Sequence, residues 1–339
     1  MAVYKVKLDQ GVVPTKDTLI QLGDSINVYP IAIGTWQWGD KHGKFFWGWT
    51  PEAEKDAKEA FDAAHKLGVP FYDTAEVYGD GESEKELSRF RKVYSAEEQE
   101  KQIIATKFFP HQHRTQFPAV LFSALKDSLD RIGIHKVDLY QIHAPIHPAA
   151  IEVVADALAD AFDAGLVKSV GVSNYGLGEI ERMHAALKKR GIQLASNQVS
   201  FSLVRTIPEK DGLIKLCHDL GVGILAYSPI GMGILSGKYR VNDPAPVGRE
   251  KVFDSLEKGQ LQNLLDSLKR LAEKYDRPQS AIALNWCIAK GTIPLGGARN
   301  ASQVEQNVLA LGFILSPEDV AELDRFSFKG VNNDSWKHG

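Results

Sequence analysis

The chain has 339 residues, 44% of them hydrophobic and 24% charged, with a formal net charge of −3. That composition is globular, excludes a chain dominated by disorder, and speaks against a nucleic-acid-binding surface, which usually carries a basic excess. No run of about 18 apolar residues is present, so no membrane span is expected; residues 1–5 lack the charged-then-apolar order of a secretory signal, so a cytoplasmic address is expected, a cleaved organellar transit peptide being the exception.

Short apolar runs alternate with stretches whose apolar residues recur at three and four. The runs, at 31–34, 71–73, 103–107, 139–143, 169–172, 195–199, 223–227 and 292–295, have the continuous apolar character of strands covered on both faces. Ahead of the first, residues 18–23 predict a small hairpin that closes the bottom of a barrel. Helical periodicity covers 51–67, 119–131, 149–164, 177–189, 210–220 and 280–289. Thr50 followed by Pro51 is a helix-start signal, and Gly133 stands where a left-handed cap would end a helix. The interval between the last two strands is the longest. It holds a Gly- and Pro-containing loop at 231–259 and a helix at 261–275. Cys217 and Cys287 both lie in apolar helical patterns and are expected as buried free thiols rather than a disulfide.

Eight such units in alternation predict an α/β fold, a (β/α)8 TIM barrel over residues 1–339, a single domain with an N-terminal β-hairpin and long loops at its C-terminal face. A doubly wound sheet would bring a Gly-x-Gly-x-x-Gly turn after its first strand. Here that strand runs into Gly34-Thr35-Trp36-Gln37-Trp38-Gly39.

The second, third and fourth strands end in Asp73, Lys107 and His143, and Tyr78 follows Asp73 in the loop. Taken singly, these residues have ordinary readings: a helix cap, an exposed strand-end charge, a core histidine, a loop aromatic. Together they bring four reactive groups to one rim of the barrel, where active sites of this fold form. A free phenol, with a pKa of about 10, is a poor acid near neutrality. An adjacent ammonium favours its phenolate. Lys107 can supply that ammonium, Asp73 can hold it in place, and His143 can donate a hydrogen bond to a bound carbonyl oxygen.

These residues resemble the catalytic tetrad of the aldo-keto reductases. The resemblance extends through Val172-Ser173-Asn174, Asn197-Gln198, Ala226-Tyr227-Ser228-Pro229-Ile230-Gly231 and Ile293-Pro294-Leu295-Gly296-Gly297-Ala298-Arg299. It implies NADPH (NADP+) bound across the barrel mouth without a Rossmann fold. Ser173, Asn174 and Gln198 would hold the nicotinamide amide, and Tyr227 would stack under the ring. Ser228, Ile230 and Gly231 would line the cofactor, with the glycine-rich loop after the seventh strand on the pyrophosphate. Gly297, Arg299, Gln303, Gln306 and Asn307 would hold the adenosine phosphate and adenine. Gln303 stands where many members carry a second basic residue, and Met232 where many carry Arg.

The loop after the first strand is rich in aromatics, from which Trp36, Trp38 and Trp47 are expected to line a pocket for a flat or apolar carbonyl compound. The Trp36-Gln37-Trp38-Gly39 and Phe46-Trp47-Gly48 stretches resemble the pyridoxal-reductase-like branch, which would make pyridoxal a substrate. No metal site is expected at His111-x-His113, which lacks partner carboxylates or cysteines, and His147 is expected at the rim beside His143. The expected partner is a small-molecule carbonyl substrate; the oligomeric state is not written in the sequence. Two other readings stand beside the reductase: an NADP(H)-binding, redox-responsive regulatory subunit with slow turnover, and a barrel hydrolase or lyase without nicotinamide.

Overall fold

The computed structural model describes residues 1–41 and 48–330. Its centre is a closed barrel of eight parallel strands: β4 (Ala32–Gly34), β5 (Phe71–Asp73), β6 (Ile103–Phe108), β7 (Val137–Ile142), β8 (Val167–Ser173), β9 (Leu194–Ser200), β10 (Gly223–Tyr227) and β11 (Ile293–Gly297). Neighbours in sequence are neighbours in the barrel, and β11 closes it against β4. The eight expected strands are all present, five of them one to three residues longer than their apolar runs.

Three further strands precede the barrel: β1 (Ala2–Lys5), β2 (Thr18–Leu22) and β3 (Ile26–Val28). The expected hairpin is formed by β2 and β3, antiparallel, and β1 adds to β2 in parallel. This small sheet plugs the bottom of the barrel. Leu22 fills the space beside Gly223 so closely that a Cβ there would lie 2.2 Å from its side chain. Ser25 donates to Lys168 O and meets Ser169, fastening the hairpin to β8.

Side chains alternate along each strand, and this alternation builds the site. Tyr72 points outward, stacks on Phe61 of the helix Pro51–Lys66 at 4.6 Å, and donates its hydroxyl to Phe61 O. Phe71, Ala105 and Leu139 belong to the apolar cluster inside the barrel, together with Leu225 and Leu295. Two residues further along the same three strands stand Asp73, Lys107 and Gln141, all buried and polar. The register places Asp73 beside Ala105 and Lys107 beside Gln141, so Lys107 stands above Asp73 and reaches back to it.

The helices follow the periodic pattern, with several differences. Thr50 accepts from Ala53 N at 3.2 Å and Pro51 opens the helix, as expected. The 210–220 stretch is broken into Ile207–Lys210 and Leu213–Asp219, because Gly212 takes a left-handed φ of 84° between them. A helix outside the expected set, Glu82–Arg91, packs beside β6 with Glu84 and Glu86 buried. Glu84 accepts from Thr106 at 2.5 Å and Arg131 at 2.6 Å, and Glu86 pairs with Arg89, which is what makes so charged a segment compatible with burial. A further unexpected helix, Pro317–Phe326, lies against Lys258–Tyr275. Cys217 and Cys287 are buried free thiols, and among the described residues no helix is long and apolar enough to cross a membrane.

Candidate active site

Lys107 is the hub of the barrel mouth. Its ammonium donates to Asp73 Oδ1 at 2.5 Å, to Thr74 O at 2.8 Å and to Tyr78 Oη at 3.3 Å, using its three protons on three acceptors. It also lies 4.8 Å from the centre of the Tyr78 ring. Burial works against this charge, but Asp73 and Tyr78 outweigh it and hold Lys107 above its ordinary pKa of 10.5. The other oxygen of Asp73 accepts from Gln198 Nε2 at 2.7 Å and Gln141 Nε2 at 3.4 Å. Ser196 orients Gln141 from the next strand but one.

Tyr78 is pulled in opposite directions. Burial opposes its phenolate, Lys107 favours it, and Asp73 opposes it; burial prevails and the phenol sits above its ordinary 10.0. The ammonium alone would lower the value, as the sequence implies; burial reverses the direction. In the fold the resting group is a protonated phenol with a cation already in place to receive its negative charge. His143, one residue beyond β7, meets the Tyr78 ring edge-on at 5.8 Å. Burial, and then the charge of Lys107, push its pKa well below 6.5, so the imidazole is neutral. Asp73, Tyr78, Lys107 and His143 are thus brought together around one point above the barrel axis.

The neighbouring strands carry amide and hydroxyl groups that hold one another. Asn174, at a φ of 62°, leaves β8 by a left-handed turn that asparagine tolerates. Its Nδ2 donates to His143 O at 3.1 Å and to Ser173 Oγ at 3.0 Å. Ser173 donates to Gln198 O at 2.8 Å, and Tyr227 donates to Asn174 Oδ1 at 3.0 Å. Beyond β10, Ser228, Gly231, Met232 and Gly233 all have positive φ and make a tight loop, against which Arg249 donates to Met232 O at 2.7 Å. Ile230 packs partly buried beneath it.

Gly297, the last residue of β11, and Arg299 beyond it are exposed and lead into the helix Ala301–Val308. Asn300 caps that helix by accepting from Gln303 N at 3.1 Å, and Gln303 Oε1 accepts from Arg299 N at 2.8 Å. Asn307 is buried and donates to Gly297 O, while Gln306 is exposed on the same helix. An exposed guanidinium at the start of a helix suits a phosphate.

The aromatic loop divides. Trp36 is half-buried, and Trp47 lies outside the described residues. Trp38 is a correction to the sequence reading. It is fully buried, packs edge-on to Phe90 at 5.7 Å and against Tyr72, and donates its indole N–H to Ala298 O at 2.8 Å. It is a core residue that ties the loop after β4 to the loop after β11, not a wall of an open pocket. His147 donates from Nδ1 to Ala149 O and accepts at Nε2 from the Tyr175 hydroxyl at 2.8 Å, so it joins two loops beside the site. His111 stacks on His113 at 5.2 Å. Gln141, Ser196 and the carbonyl of Thr74 belong to the site and were not singled out from the sequence. Gln141 could have been, as a polar residue inside the apolar run 139–143.

A buried carboxylate–ammonium–phenol relay with a neutral imidazole beside it, at the mouth of a parallel barrel, defines a proton-handling enzyme. Residues 30–327 match the family described as the aldo/keto reductase family, and the chain belongs to it. The family's members are NADP-dependent oxidoreductases. A pyridoxal reductase, chloroplastic, from Arabidopsis thaliana is 35% identical over 309 residues, covering 88% of this chain and 83% of the relative. Among solved structures, a glycerol dehydrogenase from Gluconobacter oxydans superposes with a TM-score of 0.80 at 25% identity, over 93% of this chain and 98% of its own. A Bombyx mori aldo-keto reductase in complex with NADP does so with a TM-score of 0.73 at 25% identity, over 96% and 98%.

Proposed function

We propose that this protein reduces an aldehyde or ketone to the alcohol with NADPH, Tyr78 acting as general acid, and that pyridoxal is a substrate. The observation that carries the chemistry is the position of Lys107 Nζ, hydrogen-bonded at once to Asp73 and to Tyr78. The residues present fit the cofactor. Ser173, Asn174 and Gln198 offer amide and hydroxyl groups suited to a carboxamide, Tyr227 an aromatic face, and Arg299 an exposed cation at a helix start suited to a 2′-phosphate. Ser228, Ile230, Gly231 and Gly297 would line the intervening stretch, with Gln303, Gln306 and Asn307 beside the adenosine end. When bound, the nicotinamide supplies hydride to the carbonyl carbon.

His143, neutral, donates its N–H to the carbonyl oxygen and orients it towards Tyr78. Tyr78 then releases its proton to the same oxygen as negative charge builds there. The phenolate left behind lies against the Lys107 ammonium, which Asp73 keeps charged and fixed. General acid catalysis of this kind is worth about 10²–10⁴ in rate. Reprotonation of Tyr78 from solvent completes the cycle.

Pyridoxal is supported by the Arabidopsis relative and by the half-buried Trp36 at the mouth. A reducing compartment belongs to the same reading, on the two buried free thiols. The test is NADPH oxidation followed over a carbonyl panel that includes pyridoxal. The proposal expects turnover with at least one member and pyridoxal among the best. No oxidation across the panel, by protein whose tryptophan fluorescence NADPH also fails to quench, would remove the reductase reading. Turnover of other carbonyls without pyridoxal would remove only the substrate.

A further inference from the structure

Glu76 lies between Asp73 and Tyr78 in sequence, yet its carboxylate turns away from both. It accepts from the backbone N–H of Phe109 at 2.5 Å and from the two ends of the Arg114 guanidinium at 2.5 and 3.2 Å. Arg114 also donates to Phe109 O at 3.0 Å and lies over the Phe108 ring at 4.9 Å. The side chains are only 8% and 22% exposed, so this is a shielded, two-point ion pair rather than a surface contact. It joins the loop after β5 to the loop after β6.

Those two loops carry the walls of the imidazole. The Phe109 ring packs edge-on against His143 at 5.4 Å and the Tyr78 ring does so at 5.8 Å. The same loop is tied to β6 by Lys107, which donates to Thr74 O at 2.8 Å and to Tyr78 Oη at 3.3 Å. Tyr78 N donates to Ala75 O, Glu76 N reaches Lys107 O at 3.4 Å, and Gly79 and Asp80, which follow, are both left-handed. The Glu76 carboxylate, bonded to both Phe109 N and Arg114, directly ties the loop bearing Tyr78 to the wall on the far side of His143.

We propose that Glu76 and Arg114 are positioning residues which clamp the Tyr78 loop onto the Phe109 loop, fixing the phenol and the imidazole around the carbonyl oxygen and keeping water from Tyr78. The inference rests on the reductase reading for its kinetic consequence and on geometry alone for its structural one. The groups acting on the Tyr78 charge are Lys107 from β6, Asp73 from β5 and, more weakly, Tyr227 from β10, with neutral His143 beside the ring from the loop after β7. Glu76 is not among them. Loss of the clamp would reach Tyr78 by admitting water, which relieves the burial that holds its proton.

The test uses the full-length protein labelled with ¹³C at the tyrosine ring carbon bearing the hydroxyl, the Tyr78 resonance being the one absent from Tyr78→Phe. In Glu76→Ala the Tyr78 titration midpoint should fall relative to wild type. With a reactive aldehyde kcat should fall about tenfold to a hundredfold, the scale of a misplaced reacting group. The NADPH dissociation constant should stay within about twofold. The alkaline limb of the kcat profile should move down with the midpoint. Glu76→Gln keeps an acceptor for Phe109 N and should retain most of the rate. Arg114→Met should shift the midpoint in the same direction and serves if Glu76→Ala does not fold. A folded variant with wild-type midpoint and kcat would overturn the clamp. So would kcat and NADPH affinity falling together at an unchanged midpoint, the mark of a general structural loss. Absence of NADPH-dependent turnover in the wild type would refute the reductase reading instead, while the midpoints would still judge the clamp.

Discussion

Replacing Lys107 by Met separates what the ion pair does for the fold from what it does for the chemistry. Lys107 is wholly buried and satisfies Asp73, Thr74 O and Tyr78. Removing one partner of a buried pair leaves the other charge uncompensated, at a cost of about 3–5 kcal/mol. Asp73 keeps two amide donors, Gln198 at 2.7 Å and Gln141 at 3.4 Å, which argues for the lower end of that range. Turnover should fall further than stability would explain. Without the ammonium, burial acts on Tyr78 unopposed and the phenol holds its proton more tightly, so a loss of about 10²–10⁴ in kcat is expected. The companion variant Lys107→Met/Asp73→Asn removes the stranded charge. Urea unfolding should show most of the lost stability recovered, while NADPH oxidation stays as low as in the single variant. Near-normal turnover in Lys107→Met would refute the electrostatic role of the lysine. Failure of Asp73→Asn to restore stability would refute the account of the buried pair.

Two further outcomes follow from the same geometry. Arg299→Ala should weaken NADPH binding by about tenfold, the value of one exposed charge-assisted contact, and leave NADH binding nearly unchanged; equal losses in fluorescence titrations would remove the 2′-phosphate assignment. Stability should fall as pH drops below 6.5. His143 is pushed well below that value by burial, and His218 is pushed down to about 4 by burial and by Lys7. Between about pH 6.5 and pH 4 the unfolded chain therefore binds more protons than the fold. For His218 alone the loss across that window amounts to about 3 kcal/mol, at 1.36 kcal/mol per pKa unit. Unfolding free energies that stay flat from pH 7 to pH 4.5 would contradict the burial of these imidazoles.

The barrel was legible because its strands are apolar on both faces and its helices on one, so the two periods alternate along the chain. The site was legible where chemistry sits at strand ends: Asp73, Lys107 and His143 interrupt apolar runs, and the fold gives strand ends one address. What could not be read was stagger and direction. Nothing in the run 103–107 says that Asp73 pairs with Ala105, so that Lys107 must reach back over it. Trp38 misled because an indole in a core and an indole in a pocket are spelled alike; its bond to Ala298 O joins segments distant in sequence. The helix Glu82–Arg91 was hidden by its charges, which are buried only because Arg131, Thr106 and Arg89 meet them. Glu76 was hidden for a similar reason. A carboxylate in a loop ordinarily faces water, and only the fold brings Arg114 to it.

The proton from Tyr78 is the claim on which the rest depends, and a single-turnover comparison of wild type with Tyr78→Phe, each loaded with NADPH and mixed with an aldehyde in stopped flow, tests it most directly. The variant should bind NADPH with an unchanged dissociation constant and consume it at least a hundredfold more slowly, within the about 10²–10⁴ that general acid catalysis supplies. Consumption at the wild-type rate would show that the proton comes from elsewhere.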